Sequence, residues 1–157
     1  MRVARKEMQS RADMEQLLAQ CHVGRIGTIG KDGRPMIKPL NYVYLGGRIY
    51  FHSAREGEKI DDITRDSRVC FEVDLPIAYV PATAENACKA AYRYRSIIAR
   101  GRAEIVKDDA ERLGALEGLM KKYQPEGGYG PFLPEKMVLT VIIRIDIEEL
   151  TGKEDLG

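Results

Sequence analysis

Cysteine is scarce in this sequence and neither sign of charge is in excess. Each of these two features excludes some classes of binding site. The 157-residue chain has three cysteines, Cys21, Cys70 and Cys88, which are widely spaced and form no C-x-x-C pair. We therefore expect neither a disulfide framework nor a metal site. The 25 basic and 24 acidic residues leave a net charge of +1, which gives no electrostatic reason to expect nucleic acid or an anionic membrane as a partner.

Long apolar runs are also missing from the sequence. No window approaches the roughly 18 apolar residues that a transmembrane helix needs. The first residues, MRVARKEMQSRADMEQ, lack the apolar core and cleavage site of a signal peptide, so we expect a cytoplasmic protein. A composition of 44% hydrophobic and 31% charged residues is typical of one globular domain, which we place at 1–157 with 1–9 and 150–157 as terminal extensions.

Short alternating segments joined by turn residues dominate what is present. Apolar and β-branched alternation predicts six strands, at 23–29, 36–45, 48–53, 68–74, 92–106 and 137–147. Helical spacing of apolar residues predicts three helices, at 10–22, 56–66 and 108–123. The segments between them at 75–91 and 124–136 are predicted to be loops, the first of them with room for one helical turn. Six strands connected mostly by short turns favour a nearly closed antiparallel barrel over a βαβ array.

Several single residues carry local predictions. Ser10 is expected to cap the first helix with Asp13 in its first turn. Cys70, in the run VCFEV, is expected to be a small core residue. Gly101 is expected to mark a bend or bulge in the long strand. The apolar stripe expected on the helix at 108–123 consists of Leu113, Leu116, Leu119 and Met120.

The densest group of polar residues lies where the third predicted strand leads into the second helix, in YFHSAREGEK from Tyr50 to Lys59. A helix N-terminus offers unpaired N–H groups, Ser53 can donate a hydrogen bond, and Lys59 or Arg55 can neutralise a phosphate. The same residues also suit an ordinary serine cap and a solvent-exposed lysine. The preceding strand, KPLNYVY, places a lysine and an asparagine among strand-forming residues, where both need polar partners.

The run DGRPMIKPLNYVYLGGRIYFHSAREGEKIDDITRDSRVCFEVD resembles the signature of the pyridoxamine 5'-phosphate oxidase-like FMN-binding split-barrel family, in its nitroimidazole-resistance branch. A looser similarity continues through YRSIIARGRAEIV, ALEGLMKKY and VIIRIDIEELTGK. The resemblance implies a mainly β protein with flanking helices, folded as a six-stranded antiparallel split β-barrel. It also implies a homodimer that holds FMN at the subunit interface.

The resemblance assigns individual residues to the cofactor site. The residues expected to line the isoalloxazine ring are Lys38, Pro39, Leu40 and Asn41. The residues expected to hold the ribityl and phosphate groups are His52, Ser53, Ala54 and Lys59. Arg95 and Ser96 would reach the flavin from the partner subunit, although ordinary strand alternation also accounts for them. His52 has a second candidate role, as a catalytic proton donor to a substrate beside the flavin.

One departure from the family bears on the reaction. The arginine-rich C-terminal segment of the true pyridoxine phosphate oxidases is replaced by IEELTGKEDLG, so we do not expect oxidation of vitamin B6 phosphates. The resemblance favours an FMN-dependent oxidoreductase that reduces a small aromatic or nitro compound. The alternatives are a non-catalytic FMN- or heme-binding or handling protein and a deazaflavin-dependent relative.

Overall fold

The protein is mainly β with flanking helices, as predicted, and has seven strands in place of six. The computed structural model describes residues 6–157. In chain order its elements are α1 (Arg11–Gln20), β1 (Gly24–Ile29), β2 (Pro35–Leu40), β3 (Val43–Leu45), β4 (Arg48–Ala54), α2 (Glu58–Arg65), β5 (Arg68–Val80), β6 (Ala91–Ile105), α3 (Asp109–Tyr123), α4 (Pro134–Met137) and β7 (Thr140–Asp155). The seventh strand arises because the strand predicted at 36–45 divides into β2 and β3.

The order of the strands explains why the sheet forms a barrel with one open side. All seven strands belong to one antiparallel sheet in the order β2-β1-β5-β6-β7-β4-β3. β2 and β3 stand at opposite ends of this order, yet only Asn41 and Tyr42 separate them in sequence. Such a link spans about 10 Å at most, so the sheet must curl until its two ends come close. Within residues 6–157, β2 pairs only with β1, which leaves an unpaired seam between β2 and β3 and makes the barrel a split one.

The link between β2 and β3 is anchored from inside the molecule. Tyr42 is fully buried, and its hydroxyl donates a hydrogen bond to the carbonyl oxygen of Leu18 in α1 at 2.5 Å. Its ring lies edge-on to Phe71, with 4.8 Å between the ring centroids. On the other side, the Lys122 ammonium of α3 lies 3.8 Å from the centre of the Tyr42 ring. Helices α1 and α3 therefore both contact the link between β2 and β3, which brings the two ends of the sheet close together.

Buried side chains form two layers on opposite faces of β4. Phe51 belongs to the barrel interior together with Phe71, and both side chains are fully buried. Tyr50 belongs to a smaller layer beneath α3, where it packs with Ile142 and Leu119. Successive side chains of a strand point to opposite faces, so β4 separates the barrel interior from the α3 layer. Each large apolar side chain buried in this way stabilises the fold by about 1.5–3 kcal/mol.

The loop predicted at 75–91 is wrong at its two ends, whereas residues 81–90 do form a loop, which contains one helical turn at Ala87–Lys89. β5 continues to Val80 and pairs with β6 from Ala91 onward, so that Tyr79 lies opposite Tyr92. The pairing register shifts between Pro76 and Ala78. Proline has no N–H to give to the ladder and is tolerated at such irregular positions. The segment therefore forms a long two-stranded arm, residues 75–80 and 91–96, that extends the β5–β6 hairpin.

The polar tail predicted after Glu149 is also wrong, because β7 runs to Asp155. Its carboxylates pair with arginines of β6 on the outer face of the sheet, as Glu149 does with Arg100 at 2.9 Å. At the other end of the chain, Met8 is buried and Glu7 forms a β-bridge with Lys153. Residues 6–9 therefore pack onto the fold, whereas the first five residues of the predicted extension lie outside the described residues.

Two local predictions are confirmed by the structure. The Ser10 side chain caps α1 by accepting a hydrogen bond from the Asp13 N–H at 3.1 Å. Gly101 lies at a shift in register between β6 and β7. A Cβ atom built on Gly101 would lie 2.0 Å from the carbonyl oxygen of Asp146. A glycine is therefore required where the backbones of the two strands approach this closely.

One other local prediction is wrong, and another is right only in part. Cys70 is exposed, because Val69 and Phe71 on either side of it point into the barrel and strand alternation turns Cys70 outward. The apolar stripe predicted on α3 is right at Leu116 and Leu119, which pack in the layer beneath the helix, and wrong at Leu113. The helix buries Ala115 and Leu119, whereas Leu113 is 40% exposed. The packed face of α3 therefore consists of Ala115, Leu116 and Leu119, and Leu113 lies outside it.

Candidate functional site

Two lysines from different elements converge near the start of α2. Lys38 lies on β2 opposite Ile26 of β1, and Lys59 lies in the first turn of α2. The Lys59 ammonium stands 5.1 Å from the ring centroid of Phe51. Burial lowers the pKa of Lys59, and the positive charge of Lys38 lowers it further. We call Lys38 and Lys59 the lysine cluster. Its two neighbouring, partly buried cations would be stabilised by an anion.

The ammonium of Lys38 is enclosed by the protein but is poorly partnered. Its Nζ atom lies 2.7 Å from Oε2 of Glu58, at the first position of α2. This contact is an ion pair without hydrogen-bond alignment, and Lys38 Nζ makes no hydrogen bond within the described residues. The Glu58 side chain is 57% exposed, whereas that of Lys38 is 28% exposed. The lysine is therefore held by the fold, and the glutamate approaches it from solvent.

The N-terminus of α2 opens toward solvent without a side-chain cap. Its N-cap is Gly57, with a φ of 122° and no capping hydrogen bond from a side chain. This φ is one that favours glycine, so the tight passage from β4 into α2 depends on that residue. The alternative in which Ser53 caps the helix is thereby excluded. Ser53 lies instead near the end of β4, on the same face as Phe51 by strand alternation.

A buried carboxylate fixes α2 beside the barrel. Asp62 is 1% exposed, and it accepts hydrogen bonds from the Thr28 hydroxyl at 2.9 Å and from Arg65 at 2.8 Å. Burial alone would raise the pKa of Asp62, but the bonds from Arg65 and Thr28 and the charge of Lys38 outweigh it and lower the pKa. Asp62 therefore stays ionised and ties α2 to β1, which positions the lysine cluster.

His52 and Asn41 line a cavity to which the lysine cluster does not contribute. The side chain of His52 alternates with those of Phe51 and Ser53, and therefore lies on the α3 side of β4. There it lines a cavity of about 430 Å³, which we call the α3 cavity. Its walls are mainly apolar and include Leu116, Leu119, Met120, Tyr123 and Phe132. A pocket of this size and lining suits a small aromatic molecule.

The remaining predicted ring-lining residues divide between the two faces of their strands. Pro39 is exposed and lies opposite Arg25 of β1, whereas Leu40 is partly buried and packs against the barrel interior. Asn41 follows in the link and lines the α3 cavity. Ala54 is exposed at the end of β4, opposite Thr140. The residues predicted at 38–41 thus follow the seam, with Lys38 at its lysine-cluster end and Asn41 at the α3 cavity.

Arg95 and Ser96 are not joined to this site within one chain. They lie at the base of the β5–β6 arm, where they pair with Leu75 and Asp74. The guanidinium of Arg95 is engaged by Glu154 of β7 at 3.0 Å. Within residues 6–157, no hydrogen bond or ion pair connects either residue with the lysine cluster. Their contribution from a partner subunit stays a prediction.

Sequence reasoning missed Glu58 and Asp62. Glu58 stands beside Lys59 in the segment that the sequence singles out, but its partner Lys38 lies on another element, so spacing along the chain gave no signal. A weak signal for Asp62 was present in the sequence, because this acidic residue lies between Ile60 and Ile63 on the buried face of a helix and a buried acid needs a partner.

Within residues 6–157, no helix combines the length and the apolar character needed to cross a membrane. In the same part of the chain, no group of three or more acidic, histidine or cysteine side chains is arranged to hold a metal ion.

An antiparallel sheet that curls into a barrel with one open seam defines a split β-barrel protein, and a cluster of lysines beside the seam is what a phosphorylated cofactor would need. The profile of the family described as pyridoxamine 5'-phosphate oxidase matches residues 10–154. The chain belongs to the pyridoxamine 5'-phosphate oxidase family, whose members bind flavins. No curated protein matches the chain significantly.

Solved structures share the fold over nearly the whole chain. A candidate 5-nitroimidazole antibiotic resistance protein from Bacteroides thetaiotaomicron is 24% identical, with 94% of this chain and 86% of that chain covered and a TM-score of 0.82. The flavocytochrome Anf3 from Azotobacter vinelandii is 20% identical, with coverage of 100% and 72% and a TM-score of 0.87. An FAD-binding protein from Mesorhizobium loti is 25% identical, with coverage of 93% and 95% and a TM-score of 0.67.

Proposed function

We propose that the protein binds FMN and is an oxidoreductase that reduces a small aromatic or nitro compound. The observation that carries this proposal is the convergence of Lys38 and Lys59 beside the uncapped N-terminus of α2. Two cations and a helix N-terminus each favour an anion, and together they suit a phosphate group. Ser53, near the end of β4 on the same side, would add a hydroxyl donor.

The chain's own residues would bind the cofactor, orient the substrate and protonate it. Bound FMN would supply the electron transfer. Lys38 and Lys59 would hold the phosphate, and the seam residues 38–41 would lie along the ring. The apolar walls of the α3 cavity would keep water from a substrate, and the imidazole of His52 would deliver a proton to it. The 5-nitroimidazole protein of similar fold supports a nitro compound as one class of substrate.

A homodimer is part of the proposal. The β5–β6 arm exposes Ile77, Tyr79 and Tyr92, with 48%, 62% and 52% of their surfaces accessible. Exposed apolar groups that cluster on one protrusion are typical of an interaction surface. Arg95 and Ser96 lie at the base of the same arm, so pairing through the arm would carry them toward a second subunit. Sedimentation of the wild type and of Tyr79→Ser tests this, because a wild-type monomer would contradict it.

A heme- or FMN-binding protein without turnover is the second candidate. It is favoured by the α3 cavity, in which His52 and Met120 both line apolar walls, since histidine and methionine are the usual axial ligands of a heme iron. The similar folds of a flavocytochrome and of an FAD- and heme-binding protein from Mycobacterium smegmatis give it further support.

An absorbance spectrum of the purified protein, followed by titration with FMN, FAD and riboflavin, distinguishes these candidates. The proposal expects flavin bands and tighter binding of FMN than of riboflavin, which has the same ring but no phosphate. A Soret band without flavin bands would favour heme. Equal affinities for FMN and riboflavin would refute the phosphate site.

A further inference from the structure

We infer that Glu58 is an internal competitor for the phosphate site, because its carboxylate occupies the Lys38 ammonium that a bound phosphate would use. The inference rests on the proposed FMN phosphate site and concerns what that site holds when no phosphate is bound. It assigns Glu58 a role in setting both the affinity and the selectivity of the site for anions.

The geometry shows which partner would move. The Nζ atom of Lys38 is enclosed by the protein, and its one close carboxylate is that of Glu58 at 2.7 Å. The Glu58 side chain is 57% exposed and has no second ion pair or hydrogen bond within the described residues. It can therefore swing into solvent without breaking another contact, whereas the ammonium stays in place.

A second carboxylate near the lysine cluster already has other partners. The other nearby carboxylate, that of Asp62, is buried and already accepts hydrogen bonds from Thr28 and Arg65. Lys59 forms no ion pair within residues 6–157. A phosphate with nearly two negative charges and the Glu58 carboxylate repel each other when both approach the Lys38 ammonium. Phosphate binding and the contact between Lys38 and Glu58 therefore compete with each other.

This arrangement affects ligands differently according to their charge. An anion with one negative charge gains little by binding to Lys38, because it only replaces the Glu58 carboxylate, which carries the same charge. A phosphate dianion gains contacts with both lysines and can displace Glu58. A ligand without phosphate leaves the ion pair intact. Glu58 would therefore lower the affinity of the site for singly charged anions and favour a phosphate that is attached to a larger ligand.

The test compares Glu58→Gln with Asp61→Asn as a matched control. Asp61 is exposed in the same first turn of α2 and makes no ion pair with a described residue, so its variant removes one negative charge from the same helix. The Kd values of FMN and riboflavin are measured by quenching of flavin fluorescence with the full-length, flavin-free proteins. An ion pair that is half exposed limits the change, so Glu58→Gln should lower the Kd of FMN about fivefold.

The two ligands separate this inference from the proposed function. The inference is supported if Glu58→Gln tightens FMN alone, leaves riboflavin unchanged, and differs in this from Asp61→Asn. It is overturned if FMN binding by Glu58→Gln is unchanged or weaker, or if Asp61→Asn has the same effect. If the wild type binds neither flavin, the proposed function fails together with the inference. If the wild type binds FMN more tightly than riboflavin and Glu58→Gln has no effect, only the inference fails.

Discussion

Replacing Lys59 with methionine should separate cofactor binding from stability. Lys59 holds an ammonium that is partly buried above Phe51, next to a second cation and without an acidic partner in the described part of the chain. Methionine keeps the apolar part of the side chain and removes the charge. If the ammonium serves a phosphate, its loss should weaken FMN binding without weakening the flavin-free fold.

The size of the effect follows from the contacts. A hydrogen bond to a charged group contributes about 1.5–3 kcal/mol, and because Lys59 is partly exposed we expect the lower end, about a tenfold rise in the Kd of FMN. In the flavin-free protein, Lys59→Met loses a cation–π contact of about 0.5–1 kcal/mol. It also removes repulsion from Lys38 and the cost of burial, which act in the opposite direction. The free energy of unfolding should therefore stay within about 1 kcal/mol of the wild type.

Calorimetric titration with FMN and riboflavin, combined with urea unfolding in the absence of flavin, measures both quantities. Lys31→Met, which changes an exposed lysine in the turn between β1 and β2, serves as the control and should change neither. A Lys59→Met variant that binds FMN as the wild type does would refute the phosphate site. A variant that loses more than about 2 kcal/mol of stability without flavin would show that Lys59 is a structural residue.

Three further predictions concern the bulge, acid stability and the α3 cavity. Gly101→Val should lower the free energy of unfolding by about 3 kcal/mol or more, because the added side chain would meet the backbone of β7. Gly114→Ala, on α3 where a Cβ meets no other atom, should raise the free energy of unfolding by up to about 1 kcal/mol. Urea unfolding measures both changes. Arg68 lowers the pKa of Asp66 from 3.8 to about 2. As the pH falls from 3.8 to about 2, the unfolded chain therefore takes up a proton at Asp66 before the folded protein does, and the free energy of unfolding decreases. Asp66→Asn should make this decrease smaller in acid unfolding. His52→Gln should leave the ratio of FMN to riboflavin affinity unchanged in titrations while lowering any turnover.

The parts of the fold that depend on neighbouring residues could be predicted from the sequence. The cap at Ser10 and the turn at Gly46 and Gly47 are local signals, and both are present. The extension of β5 past Pro76 could not be predicted, because a proline normally argues against a strand and the pairing with β6 that tolerates it comes from distant residues. The polar residues of β7 after Glu149 resemble a tail for the same reason, since their arginine partners lie on β6.

Alternation along single strands bears on two predictions. Cys70 lies between two inward residues and had to point outward. His52 and Ser53 are adjacent on β4, so one strand could not direct both side chains into the same cavity. Lys38 and Lys59, both singled out from the sequence, do lie close enough in the structure to affect each other, but their role in holding a cofactor stays a prediction. The contact between Lys38 and Glu58 depends on how the barrel curls, and no spacing along the chain predicts it.

The position of β7 in the sheet has a consequence for synthesis of the protein. β7 pairs with β6 on one side and β4 on the other, so it joins the β2-β1-β5-β6 sheet to the β3–β4 hairpin. Until residues 140–155 leave the ribosome, these two pieces have no backbone hydrogen bonds between them, and the interior face of each stays open to solvent. The nascent chain would therefore carry uncovered apolar strands through most of its translation. Barrel closure therefore has to wait for β7, the strand that joins the two pieces.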